Sequence, residues 1–163
     1  MRPIAYAIFG LAMTACATAP SDMTDATNLA PASAIMSEAQ ASVDQADWGT
    51  FYSYFAEDTH ALSPVLVGVA KIDAGQQTHP PHRHADEEYL MVTRGRGIWT
   101  LNGISTPANP GDILFARAWD YHGIRAANEG PMEFVVFKYS GRAVDRPANP
   151  HPEWAKERPV RPR

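Results

Sequence analysis

Between Pro64 and Tyr139 the chain is interrupted by turn-forming residues so often that no helix-length segment survives. Residues 64–72 are rich in β-branched side chains and stop at Asp73-Ala74-Gly75. Residues 89–93 run up to Gly95, and 97–101 follow at once. Asn102-Gly103 comes next, a strong two-residue hairpin signal, because a type I′ turn needs positive φ at both central positions. Pro110-Gly111-Asp112 turns the chain into 113–116. Residues 122–126 are followed by the turn Asn128-Glu129-Gly130-Pro131 and by the longest run, 132–139. Short strands at close spacing, with no convincing amphipathic helix, predict an all-β sandwich or barrel.

The rest of the chain bounds what such a domain does. At 163 residues there is room for one domain of ordinary size. Hydrophobic residues make up 45% and charged residues 20%, which suits a globular domain and not a disordered one. A formal net charge of −4 argues against general nucleic-acid binding, which needs clustered cations. One cysteine excludes an intrachain disulfide, a CxxC redox centre and a four-cysteine metal site. No uninterrupted apolar run reaches the ~20 residues of a membrane-spanning helix, which argues against a multi-span membrane protein.

Residues 1–19 are expected to be an export signal, with Arg2 ahead of an apolar stretch over 4–13 and small residues around Cys16. Met13-Thr14-Ala15-Cys16 resembles the lipobox of bacterial lipoproteins, which implies a lipid on Cys16 as the protein's link to a membrane. Ala15-Cys16-Ala17 equally reads as an ordinary cleavage site, and an uncleaved anchoring helix is a third reading. All three put the domain outside the cytoplasm: on the periplasmic side as an anchored lipoprotein, or soluble in the periplasm or secreted. Residues 20–46, dominated by small and polar side chains, are expected to form a flexible tether, and 47–140 the folded domain. Residues 141–163 hold five prolines with six basic and three acidic residues, and read as a flexible Pro/Arg-rich tail.

Three of the six histidines fall within six positions: His79, His82 and His84. On an extended strand His82 and His84 project from one face, and Glu88 has the same parity. Pro80-Pro81 stiffens the approach. Two neutral imidazoles and a carboxylate on one face form a ligand set for a borderline divalent metal, and His122 is placed to supply a further ligand from another strand. His79 reads as a loop histidine or a residue behind the ligands. Asp86 and Glu87 are candidates to orient the ligand histidines. Trp99, Trp119, Tyr121 and Phe134 read mainly as core aromatics, Arg125 alternates away from His122, and Lys138 has no evident place.

Gly75, His82-Arg83-His84, Glu88 and Gly95 resemble the first motif of the cupin superfamily. Gly111-Asp112 and His122 resemble its second motif, with Arg117 and Trp119 standing where the family usually has proline and glycine, and Asn128 two residues beyond the usual asparagine. The resemblance covers about residues 65–139. It implies a double-stranded β-helix (a jelly-roll barrel), a homodimer, and a metal held by His82, His84, Glu88 and His122. Four such ligands leave a divalent ion with net charge +1 and, in octahedral geometry, two open positions. They would close the tetrahedral shell preferred by zinc, so iron, manganese or nickel suit catalysis better, with zinc as an alternative. The function expected is a small metal-dependent oxidoreductase or lyase acting on a small oxygenated organic molecule, with Glu88 as both ligand and proton acceptor. The alternative is a non-catalytic cupin that binds or senses a small ligand such as a sugar or an organic acid.

Overall fold

A computed structural model describes residues 31–151 of the chain. After a single 3-10 turn at Glu38–Gln40 come nine strands: β1 (Ser42–Ala46), β2 (Gly49–Phe55), β3 (Leu62–Ile72), β4 (Glu87–Arg94), β5 (Gly97–Leu101), β6 (Ile104–Ala108), β7 (Ile113–Ala116), β8 (His122–Ala126) and β9 (Met132–Gly141). They form a six-stranded sheet in the order β1-β2-β3-β9-β4-β7 and a three-stranded sheet in the order β6-β5-β8. Every strand pairing is antiparallel. This is the jelly roll that the strand pattern and the cupin resemblance imply. No helix among the described residues is long and apolar enough to cross a membrane. The expected export signal, with Cys16, lies outside the described residues.

Alternation builds the core. On β9, Met132, Phe134 and Val136 point inward and alternate with half-buried or exposed neighbours. On β4, Glu88, Leu90 and Val92 do the same. These meet Ala70 and Ile72 of β3, Leu114 and Ala116 of β7, and Trp99, Ile124 and Ala126 from the smaller sheet. Full burial of a side chain such as Ile72 or Val92 contributes about 1.5–3 kcal/mol. Both central residues of the predicted hairpin have positive φ, 49° at Asn102 and 84° at Gly103, as a type I′ turn requires.

The sheet starts earlier than the boundary at residue 47. Ser42–Ala46, expected within the tether, form edge strand β1, and all five of its residues are exposed. A strand held by main-chain pairing to β2 and burying no side chain carries no alternation for a sequence reading to detect. At the other end, the first part of the tail lies against the domain. Trp119 Nε1 donates to the Pro147 carbonyl at 2.7 Å, and Arg146 pairs with Asp86 at 3.0 Å.

Candidate metal centre

The β3–β4 connection carries the His-x-His segment back across the open end of the barrel. His82 forms an antiparallel bridge with His122 at the start of β8, its N–H donating to the His122 carbonyl at 2.9 Å and its carbonyl accepting the His122 N–H at 2.8 Å. That bridge joins the histidine loop to the smaller sheet. Gly123 makes room for it, because a Cβ there would press on Pro81 at 3.0 Å. His84 is fixed from the other side, where its carbonyl accepts the Trp119 N–H at 2.7 Å.

These constraints bring His82, His84 and His122 together, with one potential ligand nitrogen from each lying within 4.8 Å of the others. Three of the four sequence-predicted ligands are therefore one cluster, and Glu88 stands beside it. Its carboxylate lies 3.1 Å from His84 Nε2 and 3.7 Å from His122 Nε2. His84 Nδ1 bonds the Asp86 carbonyl at 3.0 Å and His122 Nδ1 the Asp120 carbonyl at 2.8 Å. An imidazole that gives its Nδ1–H to a carbonyl presents the Nε2 lone pair to the site. Two lone pairs facing one carboxylate call for a proton or a cation between them. His122 Nε2 and His82 Nδ1 are buried without a hydrogen-bond partner among the described residues, a costly state that a coordinated ion relieves at a nitrogen it binds. The donor set fits a divalent transition metal.

The electrostatics agree. Burial opposes the charge on Glu88, but the two imidazoles beside it, His122 and His84, outweigh it and hold the carboxyl well below its usual range. Burial and the neighbouring His79, His122 and His84 push His82 down to about 3, so it stays a neutral donor. Burial works against protonating His122 as well, yet Glu88 more than compensates and its pKa is raised.

His82, His122 and Glu88 of this cluster line a cavity of about 390 Å³. Its apolar wall includes Trp48, Phe51, Leu90 and Phe134, and its polar lining adds Asp44, Thr78, His79 and Lys138 to the cluster. The Phe51 ring occupies the space over Gly68 that a Cβ would fill. His79 is thus at the mouth of the site, its ring edge-on to His82 with centroids 4.1 Å apart. Its Nδ1 bonds the Pro80 carbonyl at 3.1 Å. Trp99 and Tyr121 are buried as expected, while Phe134 is both core and cavity wall. Arg125 is exposed.

Asp86 orients His84 through its main-chain carbonyl and not through its carboxylate, which Ser140 Oγ and Arg146 hold at 2.7 and 3.0 Å. Glu87 is exposed and pairs across the strands with Tyr139. Sequence reasoning left out Asp44, Trp48 and Phe51, which come from the unrecognised β1–β2 hairpin, and left Lys138 unplaced. A signal for Lys138 was present. It continues the inward series Met132, Phe134, Val136 at a spacing of two.

The fold and this site resemble those of cupin domains. Residues 68–138 match the family model of the cupin domain, a span that includes His82, His84, Glu88 and His122, and this supports the cupin superfamily as the chain's family. The dimethylsulfoniopropionate lyase DddW of Ruegeria pomeroyi is 32% identical over 66 residues, which is 40% of this chain and 43% of the lyase. The chain therefore spans less than half the length of this curated relative. An RmlC-like cupin from Shewanella frigidimarina superposes with a TM-score of 0.55 at 15% identity, over 66% of this chain and 91% of that one. A double-stranded β-helix protein from Klebsiella pneumoniae gives 0.54 at 23% identity, over 69% and 94%. At these identities the two structures speak for the fold alone.

Proposed function

We propose that this protein is a metal-dependent cupin enzyme, of the lyase type before the oxidoreductase type, acting on a small oxygenated organic acid outside the cytoplasm. The observation that carries the reading is that His82, His122 and Glu88 of the cluster line a cavity of about 390 Å³ whose wall also carries proton-transfer groups. A purely structural metal site is closed by its ligands and needs no such space. Similarity to DddW favours elimination over oxidation.

In an elimination a base takes a proton from the carbon beside a carboxylate. The bond between the next carbon and the leaving group then breaks, its electron pair departs with that group, and a carbon–carbon double bond forms. A bound divalent metal, held by His82, His84, His122 and Glu88, would supply Lewis-acid stabilisation of the charge that builds on the substrate. His79 is the base best placed for the proton. Its Nδ1–H donates to the Pro80 carbonyl, which leaves Nε2 as an acceptor at the cavity mouth. Glu88 is the second acceptor, wherever it can leave the metal. Iron, manganese or nickel suits this chemistry better than zinc, because four protein ligands leave an octahedral ion two positions.

The expected export signal over 1–19 supports the location, with a lipid on Cys16 as the membrane link. Pairing with a second copy belongs to the same reading. The outer face of the large sheet leaves Ile113, Phe115 and Phe137 exposed at 61%, 40% and 45%, an apolar face of the kind that a partner covers.

The test is elemental analysis of protein purified without chelator or affinity metal, followed by turnover of short carboxylates bearing a leaving group on the β-carbon. Dimethylsulfoniopropionate comes first in that panel. We expect near-stoichiometric iron, manganese or nickel and a metal-dependent appearance of the unsaturated acid. A metal-loaded protein that converts none of the panel rejects the lyase and leaves the ligand-binding reading.

A further inference from the structure

Lys138 occupies a position where the pattern of β9 calls for an apolar residue. Met132, Phe134 and Val136 precede it on the inward face, and Ser140 follows. It lines the cavity, half-buried, beside the metal-ligating cluster. A cation at a barrel-interior position costs desolvation and is ordinarily held there by a partner. Its cross-strand neighbour is a carboxylate, Glu88, directly opposite in the β4–β9 register. Side chains in that relation stand with Cβ atoms about 4.5–5.5 Å apart, near enough to pair. Yet the Glu88 oxygens are turned to His84 and His122. Among the described residues no hydrogen bond or ion pair engages the Lys138 ammonium.

We propose that Lys138 is the anion-binding residue of the cavity, and that the molecule admitted is a small carboxylate held between this ammonium and the histidine–glutamate cluster. The proposal rests on the site being the one that takes substrate, and it adds the residue that recognises the substrate's charge. With a metal bound, the cluster is net positive and Lys138 adds another unit; Asp44 is the remaining carboxylate in the cavity lining. A carboxylate placed there is drawn by both centres, and Lys138 fixes which end of the molecule enters first. Leu90, Phe134 and Val136 on the same wall leave the remainder of the ligand an apolar surface.

The experiment is calorimetric titration of the full chain, manganese-loaded and metal-free, with propionate, and with propanamide as its uncharged counterpart. Lys138→Met and Lys138→Arg are titrated beside it. In Lys138→Met, propionate affinity is expected to fall roughly ten- to hundred-fold, the loss of one charge-assisted contact. Lys138→Arg recovers most of it, propanamide binding is unchanged, and metal content is the same in all three. A second measurement needs no variant. Propionate should slow acylation of Lys138 by sulfosuccinimidyl acetate, read by mass spectrometry, while Lys71 on the sheet exterior reacts as before. Lys138-dependent propionate binding in a chain that holds no metal keeps this assignment while removing the enzyme reading. Unchanged propionate affinity in a metal-retaining Lys138→Met protein, no propionate binding by the unsubstituted chain, or equal acylation with and without propionate overturns it.

Discussion

Two connections deliver the candidate ligands, and they are built on opposite principles. The β3–β4 connection brings His82, His84 and, at its end, Glu88, and its own sequence states its purpose: prolines to stiffen it, imidazoles two apart, a carboxylate of matching parity. The β7–β8 connection, residues 117–121, delivers His122 with residues that argue against the turn it makes. Trp119 has φ +68°, a left-handed backbone that glycine adopts freely and an indole-bearing residue does not. The conformation is held mainly by groups outside the loop, with one ion pair inside it. The Trp119 N–H donates to the His84 carbonyl, its indole N–H to the Pro147 carbonyl, and Arg117 pairs with Asp120 at 3.1 Å. One connection encodes chemistry locally; the other borrows its shape from the first connection and from the C-terminal segment.

The largest expected effect separates the two. His84→Ala removes a ligand from the locally encoded connection and leaves the Trp119 N–H bond to its backbone in place. Metal content should fall by at least about ten-fold, since each protein ligand is a large part of a site's affinity, while circular dichroism stays that of the folded domain. Full metal retention by His84→Ala would mean that the histidine cluster is not the binding site.

Acid should act on both connections at once. In the metal-free protein His82 has a pKa near 3, against 6.5 when unfolded, so between those values the unfolded chain binds the extra proton and stability falls as pH falls. Glu88, held below its ordinary 4.5, adds the same sign at the acid end: its contribution is present above that value and lost as the pH drops toward its folded pKa. His122, raised above 6.5, acts in reverse, contributing below 6.5 and losing that contribution as pH rises through its folded value. The melting temperature of the metal-free chain should therefore decline steadily from about pH 6.5 downward. A flat profile from 6.5 to 4 would show that His82 is not buried among the other histidines.

A smaller effect sharpens the contrast in backbone strain. Trp119→Gly and Trp119→Ala both lose the bond to Pro147, but only glycine relieves the left-handed backbone. Trp119→Gly should be the more stable of the two by about 1 kcal/mol in denaturant unfolding. Equal stabilities would place no strain in this connection.

The same contrast explains what was legible beforehand. The clustering of His82, His84 and His122, with Glu88 beside them, could be read because metal chemistry restricts residue type and strand geometry restricts spacing, so these candidate ligands stood out before any fold was known. Six strands, β3, β4, β5, β7, β8 and β9, carried apolar runs between turn residues and were visible for the same reason. Strands β1, β2 and β6 were not recognised. The exposed Ser42–Ala46 and the five residues of β6, of which only Ala108 is buried, show little of the burial that leaves a periodic trace. Asp86 illustrates the limit at the site. Its residue type suggested a carboxylate behind a histidine, whereas the bond to His84 comes from its carbonyl, a choice made by backbone direction that residue type does not encode.

The weakest link in the borrowed framework is also its most distant. Arg146 reaches Asp86, whose carbonyl orients His84, so the C-terminal segment touches the candidate metal centre through one intermediary. The Arg146 side chain is half exposed, and an ion pair of that kind contributes little to stability, at most about 1 kcal/mol. Arg146→Ala should accordingly leave the melting temperature nearly unchanged. Its effect belongs in metal affinity, because Ser140 alone would then hold the Asp86 carboxylate. A two- to five-fold weakening is expected, below the roughly ten- to hundred-fold of a residue that touches a ligand directly, and Arg146→Lys should restore part of it. If Arg146→Ala instead lowered stability and affinity together, the tail would be a structural clamp on the whole domain and not a positioning contact for one histidine.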